Sequence, residues 1–279
     1  MNAPPPFTAP SGPPARLAIL GGGNLGQALA RGFAADGRLS PGDIRITRRD
    51  ADKLAPLTAE GFATGTGNAE AVRAADVIVI AVQPQQMERL VEDVRDAIDP
   101  GRHRVISTVS GVSLAQLREV LQSEVPVVRA MPNTAVAVRE SMTCLCAGPD
   151  AGEALAEATT LFDGVGRTLV IREELMIPAT ALCACGIAFF LRSVRAASQG
   201  GIEIGFHPEE ALLLAAATAR GAAQLVLREG RHPESEIDRV TTPRGCTIAG
   251  LNEMEHQGYS SAFIKGILTS ARQAAGLYD

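Results

Sequence analysis

The sequence predicts an α/β fold, with a doubly wound parallel sheet in the N-terminal part and an all-α part after it. Three observations lead there. Short apolar runs alternate with helical stretches up to about Val170. The clearest run, 77–82 (VIVIAV), is continuous rather than alternating, the mark of a strand buried on both faces. Beyond Val170 the strand-like runs stop and Ala-rich helical stretches take over.

The elements follow in order. Residues 16–20 (RLAIL) form a short apolar run ending in glycines, a buried strand. Residues 25–35 are helical, with Leu25, Leu29 and Phe33 at spacing four. Residues 44–47 give a second strand, the neighbourhood of Ala63 a short third, and 77–82 a fourth bounded by Asp76 and Pro84. A helix over 85–98 and strands over 104–108, 125–129 and 142–146 complete the series. Residues 174–199 then predict one long helix. Another spans 208–228, opened by Pro208 with Glu209 and Glu210, a favourable helix start. Further helical stretches cover 234–240, 245–255 and 260–275. Faces rich in alanine (Ala215, Ala216, Ala217, Ala219, Ala222, Ala223) permit close helix–helix contact. The domain reading is a tail at 1–15, expected to be disordered, a sheet domain at 16–172 and a helical domain at 173–279.

Composition narrows the function. The 279 residues are 46% hydrophobic, enough to build a sizeable core. With no Trp and only 4% aromatics, Ala, Val, Leu and Ile must fill it. The net charge of −5 contains no long run of one sign. That excludes the concentrated basic face a nucleic-acid partner needs, and a polybasic membrane anchor. The Pro-rich start has neither a basic region nor an apolar core, so no signal peptide is expected. Residues 175–191 lack charge but fall short of a bilayer span and contain Pro178. We expect a helix buried in the protein or a dimer, and a cytoplasmic protein with no membrane partner. The five cysteines form two C-x-C pairs (Cys144 and Cys146, Cys183 and Cys185) and the single Cys246. This is not zinc spacing, so no metal is expected, and small reduced side chains are the reading. His103, His207, His232 and His256 sit in no catalytic motif and are read as surface or helix-cap residues.

The chemistry begins at Gly21-Gly22-Gly23-Asn24-Leu25-Gly26, which fits G-x-G-x-x-G between a strand and a helix. The first glycine allows the tight turn, the second lets a pyrophosphate approach the backbone, and the third lets helix and strand pack. The helix N-terminus adds free N–H groups and partial positive charge. This is a Rossmann-type dinucleotide site, with Gly21, Gly23, Asn24, Leu25 and Gly26 at the pyrophosphate. The second strand ends in Thr47-Arg48-Arg49 rather than a carboxylate. Arginines pair bidentately with a 2′-phosphate, so Arg48 and Arg49 point to NADP, although Asp50 and Asp52 lie close enough to neutralise them.

Several separated motifs resemble the pyrroline-5-carboxylate reductase family over nearly the whole folded length. The opening ILGGGNLGQAL is similar to its glycine loop, and Thr47-Arg48-Arg49 to its NADP-selecting segment. Ala81-Val82-Gln83-Pro84-Gln85 resembles its A-V-K-P-Q loop, and Met131-Pro132-Asn133-Thr134 its M-P-N-T turn. Thr241-Thr242-Pro243-Arg244-Gly245-Cys246-Thr247 resembles its substrate loop, close to S-S-P-G-G-x-T. The resemblance implies NADPH-dependent reduction of a cyclic imino acid, 1-pyrroline-5-carboxylate, to proline. It also implies a helical C-terminal dimerisation domain, in a homodimer or a ring of dimers. It places Ala81, Gln83 and Asn133 on the ribose and nicotinamide side. It places Thr242, Arg244, Gly245, Cys246 and Thr247 around the substrate, whose carboxylate is held by backbone N–H groups. It makes Thr247 the expected hydrogen-bond or proton donor to the imine nitrogen.

The departures cluster at the substrate end. Gln83 replaces a lysine, Arg244 replaces a glycine, and Ala184-Cys185-Gly186-Ile187-Ala188-Phe189 stands for G-S-G-P-A-Y. They keep two other readings open. One is a related NADP-dependent imine or keto-acid oxidoreductase with Arg244 as carboxylate clamp. The other is a catalytically silent NADP-binding protein.

Overall fold

The computed structural model describes residues 16–276. The expected tail at 1–15 lies outside them. The residues divide into two compact units, one ending at Ala184 and rejoined from Gln273, the other covering Cys185–Arg272. The expected division at 172/173 thus falls twelve residues before the division in the contacts.

The first unit is built on an eight-stranded sheet. Its strands are β1 (Leu17–Leu20), β2 (Ile44–Thr47), β3 (Ala63–Gly65), β4 (Val77–Ile80), β5 (Arg104–Ser107), β6 (Val127–Met131), β7 (Ser141–Ala147) and β8 (Gly166–Val170). The order is β3-β2-β1-β4-β5-β6-β7-β8. Neighbours are parallel throughout, except that β7 runs antiparallel to β6. The chain order reverses between β1 and β4, the switch point at which doubly wound sheets open a crevice beyond the carboxyl ends of their strands.

Helices cover both faces. They are α1 (Asn24–Ala35), α2 (Ala55–Ala59), α3 (Asn68–Arg73), α4 (Met87–Val94), α5 (Leu114–Leu121), α6 (Gly152–Asp163) and the short α7 (Met176–Ala179). Two buried clusters form. Leu29, Phe33, Ile46, Val79 and Phe162 pack on one face, and Leu20, Ile78, Val91, Leu117 and Met176 on the other. Phe33 and Phe162 meet edge to face at 5.4 Å.

Several boundaries differ from the sequence reading. The strand expected at 125–129 runs two residues later, because Pro126 cannot donate to the ladder. The helix expected at 85–98 is an α-helical core between two 3₁₀ turns. The long helix expected from 174 to 199 is interrupted by a π-helical turn, Thr180–Cys185. Pro178 falls in the first turn of α7, where a missing N–H costs little. Helices α5 and α6 and strand β8 carried no clear signal.

A buried ion pair ties the chain leaving β8 back to the sheet. Arg129 of β6, 5% exposed, donates from Nη1 to Glu173 Oε1 at 2.9 Å. The same oxygen accepts the Leu114 N–H at 2.6 Å.

The second unit is all-α: α8 (Gly186–Glu203), α9 (Pro208–Glu229), α10 (Pro233–Val240), α11 (Cys246–His256) and α12 (Tyr259–Ala275), the last extending beyond it. Helices α8 and α9 come close at Gly201, where a Cβ would stand 3.0 Å from that of Ala211. Of the alanines whose faces permit close helix–helix contact, Ala215 is half-buried and Ala216, Ala217, Ala219, Ala222 and Ala223 are exposed in the single chain. The stretch 175–191, expected to be buried in the protein or a dimer, is partly covered in the single chain: Met176, Ala179 and Ala181 are buried, while Leu182, Phe190 and Leu191 are more than half exposed, as are Leu212 and Leu213 on α9. Glu173–Glu203 and Pro208–Arg228 are long and apolar enough to cross a membrane by length and composition.

Candidate active site

The glycine loop sits at the switch point. β1 delivers the chain to Gly21, whose φ of +117° L side chains rarely adopt. A Cβ there would strike the Ala81 carbonyl at the end of β4 and lie 2.9 Å from Val82 Cγ1. At Gly26, on the first turn of α1, a Cβ would strike the Gly21 carbonyl. The first and third glycines therefore let two strand ends and a helix converge. Gly23 differs, since nothing lies within 4 Å of its Cβ position. That open side faces no protein, and α1 starts there without a side-chain cap. The first N–H groups of α1, from Asn24, Leu25 and Gly26, are left for an anion such as a pyrophosphate.

The loop is held in place. Gly21 and Gly22 donate to the Thr47 carbonyl at 3.2 and 2.7 Å. The Gly22 carbonyl accepts from Arg48 Nη1 at 2.7 Å and Gln27 Nε2 at 3.0 Å. Arg48 is thus half-buried with one guanidinium nitrogen committed to the loop, while Arg49 is exposed. Among the described residues no ion pair engages either arginine. Asp50 pairs instead with Lys53 at 3.3 Å, so it does not neutralise them. Sequence reasoning missed Gln27 and a further polar chain at this end. Thr47 Oγ1 donates to Asn68 Oδ1 at 2.6 Å, and Asn68 Nδ2 donates to Asp93 Oδ2 at 2.8 Å. Asn68 opens α3 just after β3, as a residue on the adenosine side would. Its only signal was position at a strand end.

Beyond β4, Ala81 is half-buried and donates to the Leu20 carbonyl at 2.8 Å. Gln83 is exposed and opens a 3₁₀ turn. Asn133 follows β6, and its carboxamide is fully engaged. Oδ1 accepts the Ala135 N–H at 3.0 Å, and Nδ2 donates to the Cys183 carbonyl in the π turn at 3.2 Å. It shapes this end of the sheet by positioning other groups.

In the second unit the loop before α11 is a β-turn. Pro243 and Arg244 occupy its central positions, and Gly245 donates to the Thr242 carbonyl at 2.9 Å. Arg244 has φ +60°, the left-handed conformation that glycine adopts freely. A Cβ at Gly245 would meet Thr242 Oγ1 at 2.6 Å. Gly245 caps α11 without a side-chain acceptor, and there is no acidic residue in the first turn. The Gly245 N–H is spent within the turn, which leaves those of Arg244, Cys246 and Thr247 for an anion. Arg244 and Cys246 are exposed and Thr247 half-buried. No hydrogen bond engages the Thr247 hydroxyl among the described residues.

Of the histidines, His207 and His232 open α9 and α10 as helix caps, and His256 lies exposed at the end of α11. His103 corrects the surface reading. It is 2% exposed, its Nδ1 accepts the Asp99 N–H at 2.8 Å, and burial lowers its pKa, helped by Arg102. No cluster of metal-ligating side chains occurs among the described residues.

Residues 16–111 match the family described as NADP oxidoreductase, coenzyme F420-dependent. Residues 173–277 match pyrroline-5-carboxylate reductase dimerisation. Pyrroline-5-carboxylate reductase 2 of Dictyostelium discoideum is 46% identical over 275 residues, covering 93% of this chain and 92% of that protein. The chain belongs to the pyrroline-5-carboxylate reductase family. Pyrroline-5-carboxylate reductase 1 of the same organism is 47% identical over 94% of this chain, which spans only 50% of that protein's length. Among solved structures, a pyrroline-5-carboxylate reductase from Coxiella burnetii aligns with a TM-score of 0.86 at 28% identity, covering 95% of this chain and 99% of that one. The Plasmodium falciparum pyrroline carboxylate reductase, described with NADP bound, shares the fold with a TM-score of 0.87 at 22% identity, covering 96% and 99%. Pyrroline-5-carboxylate reductases carry a dimerisation domain, and in this member of the family it falls on the helices left uncovered in the single chain.

Proposed function

We propose that this chain reduces the C=N bond of 1-pyrroline-5-carboxylate to give proline, taking the hydride from NADPH. The observation that carries the reading is family membership over almost the whole chain, together with an intact glycine loop that leaves the Gly23 side open.

The residues fit the cofactor. The N–H groups at the start of α1 receive the pyrophosphate, and the exposed guanidinium of Arg49 with the remaining donors of Arg48 receives the 2′-phosphate. NADPH, when bound, supplies the hydride; the protein contributes orientation and a proton. Ala81 and Gln83 border the ribose and nicotinamide side, where Asn133 acts as a positioning residue. The N–H groups of Arg244, Cys246 and Thr247 bind the substrate carboxylate, within the pocket wall made by Thr242 and Gly245. The Thr247 hydroxyl, without a hydrogen-bond partner among the described residues, donates to the imine nitrogen and holds it toward protonation. Functionally, 16–172 serves as the dinucleotide domain and 173–279 as the substrate and dimerisation domain. The protein works in the cytoplasm, apart from membranes, as a homodimer or a ring of dimers.

The test is NADPH oxidation by the purified protein with pyrroline-5-carboxylate, beside NADH and a no-substrate control. Turnover that favours NADPH, with kcat falling at least tenfold in Thr247→Val while NADPH affinity holds, supports the reading. Cofactor binding without turnover refutes it. The left-handed Arg244 in the substrate loop favours a second reading, a shifted imine or keto acid. A substrate panel with Arg244→Gly separates the two, since a clamp would be lost with the arginine.

A further inference from the structure

Cys144 and Cys183 come from distant parts of the sequence, yet their sulfurs lie 4.0 Å apart. Cys144 is on β7 and 3% exposed, while Cys183 is in the π turn and half-buried. Their neighbours in the two C-x-C pairs do not share this contact. Cys146 is buried beside Arg129, and Cys185 is half-buried with no sulfur contact among the described residues. The π turn carries one extra residue per turn, a strained local form often found at functional sites. Asn133 holds its Cys183 carbonyl. A disulfide requires the two sulfurs to close from this contact to about 2 Å.

We propose that Cys144 and Cys183 form a peroxide-sensitive thiol pair that closes to an intrachain disulfide, with Cys183 as the attacking sulfur. Cys183 is the reachable member, and the pairing supports the same order. The Cys144 thiol donates to Cys183 and holds the Cys183 pKa down to about 7, while Cys144 is raised by that hydrogen bond and by burial. A thiolate is thus available at neutral pH on the accessible side.

The step balances with a hydroperoxide as oxidant. The Cys183 thiolate attacks the O–O bond, an S–O bond forms, and the leaving oxygen departs as hydroxide and is protonated to water. Cys144 sulfur then attacks the Cys183 sulfenic acid. The S–S bond forms as S–O breaks, and the second hydroxide leaves as water with the Cys144 proton. Two thiols are oxidised and one peroxide is reduced to two waters.

The test needs no enzymatic activity, so its outcome is independent of the proposed reductase function. The intact chain is treated with hydrogen peroxide near pH 7, and its mass and non-reduced peptide map are read. The expected result is loss of two hydrogens per chain, a cross-linked peptide joining Cys144 to Cys183, and full reversal by dithiothreitol. Cys183→Ser should prevent the link, whereas Cys185→Ser should keep it. Stepwise addition of oxygen at Cys183 without a link would overturn the proposal. So would a link from Cys183 to Cys185 or Cys146, or a link between chains.

Discussion

The carbonyl of Ala81 occupies the space that any side chain on Gly21 would fill. Two strand ends, from β1 and β4, therefore meet through one glycine at the switch point of the sheet. Gly21→Ala must push β4 away while keeping φ at +117°, which costs about 1–3 kcal/mol in conformation alone. NADPH affinity, followed by fluorescence titration, should fall at least tenfold, and the thermal midpoint should drop. An unchanged affinity would remove the loop from the cofactor site.

Arg48 and Arg49 should separate on substitution. Arg49 is exposed and makes no ion pair among the described residues, so Arg49→Ala should weaken NADPH several-fold and leave NADH unchanged. Arg48 also holds the Gly22 carbonyl, so Arg48→Ala should weaken both cofactors, NADPH more. Kd values for the two cofactors check this, with the difference shrinking at high salt.

Arg244 is held in a backbone form that glycine adopts without cost. Arg244→Gly should therefore relieve about 1 kcal/mol of strain. Greater chain freedom in the unfolded state offsets part of that gain. A small rise in the urea midpoint is expected. A clear fall would show that the guanidinium makes a stabilising contact in solution.

His103 sets a pH dependence. Its folded pKa lies below the ordinary 6.5, because burial penalises the charged ring and its Nδ1 accepts an N–H. The unfolded chain therefore binds the proton more readily. Stability is complete above pH 6.5 and is lost as pH falls below it toward the folded value, by at most about 1.4 kcal/mol per pH unit. Urea unfolding between pH 7.5 and 5.5 should show this slope, and His103→Gln should flatten it.

What could be seen in the sequence followed from strong local signals. Continuous β-branched runs such as Val77–Ile80 read as buried strands, and the three glycines announced the turn that needs them. The π turn at Thr180–Cys185 was invisible, because helical periodicity does not register one extra residue per turn. β8 has exposed positions at Arg167, Leu169 and Val170, so it lacked the fully apolar run of a central strand. The Asn133 motif was legible, but its side-chain bonds to the Ala135 N–H and the Cys183 carbonyl join residues that no spacing could reveal. His103 lay between two arginines and looked like a surface residue, although the loop folds it inward.

The uncovered leucines of α8 and α9 mean that the stability of this chain is a property of its concentration. Leu191, Leu212 and Leu213 are exposed within the segment that matches the dimerisation family, so association that covers them contributes to the free energy of folding. Dilution should lower the thermal midpoint even though no bond within the chain changes. Any substitution on those faces will alter the amount of folded protein in a cell before it alters the chemistry of the site.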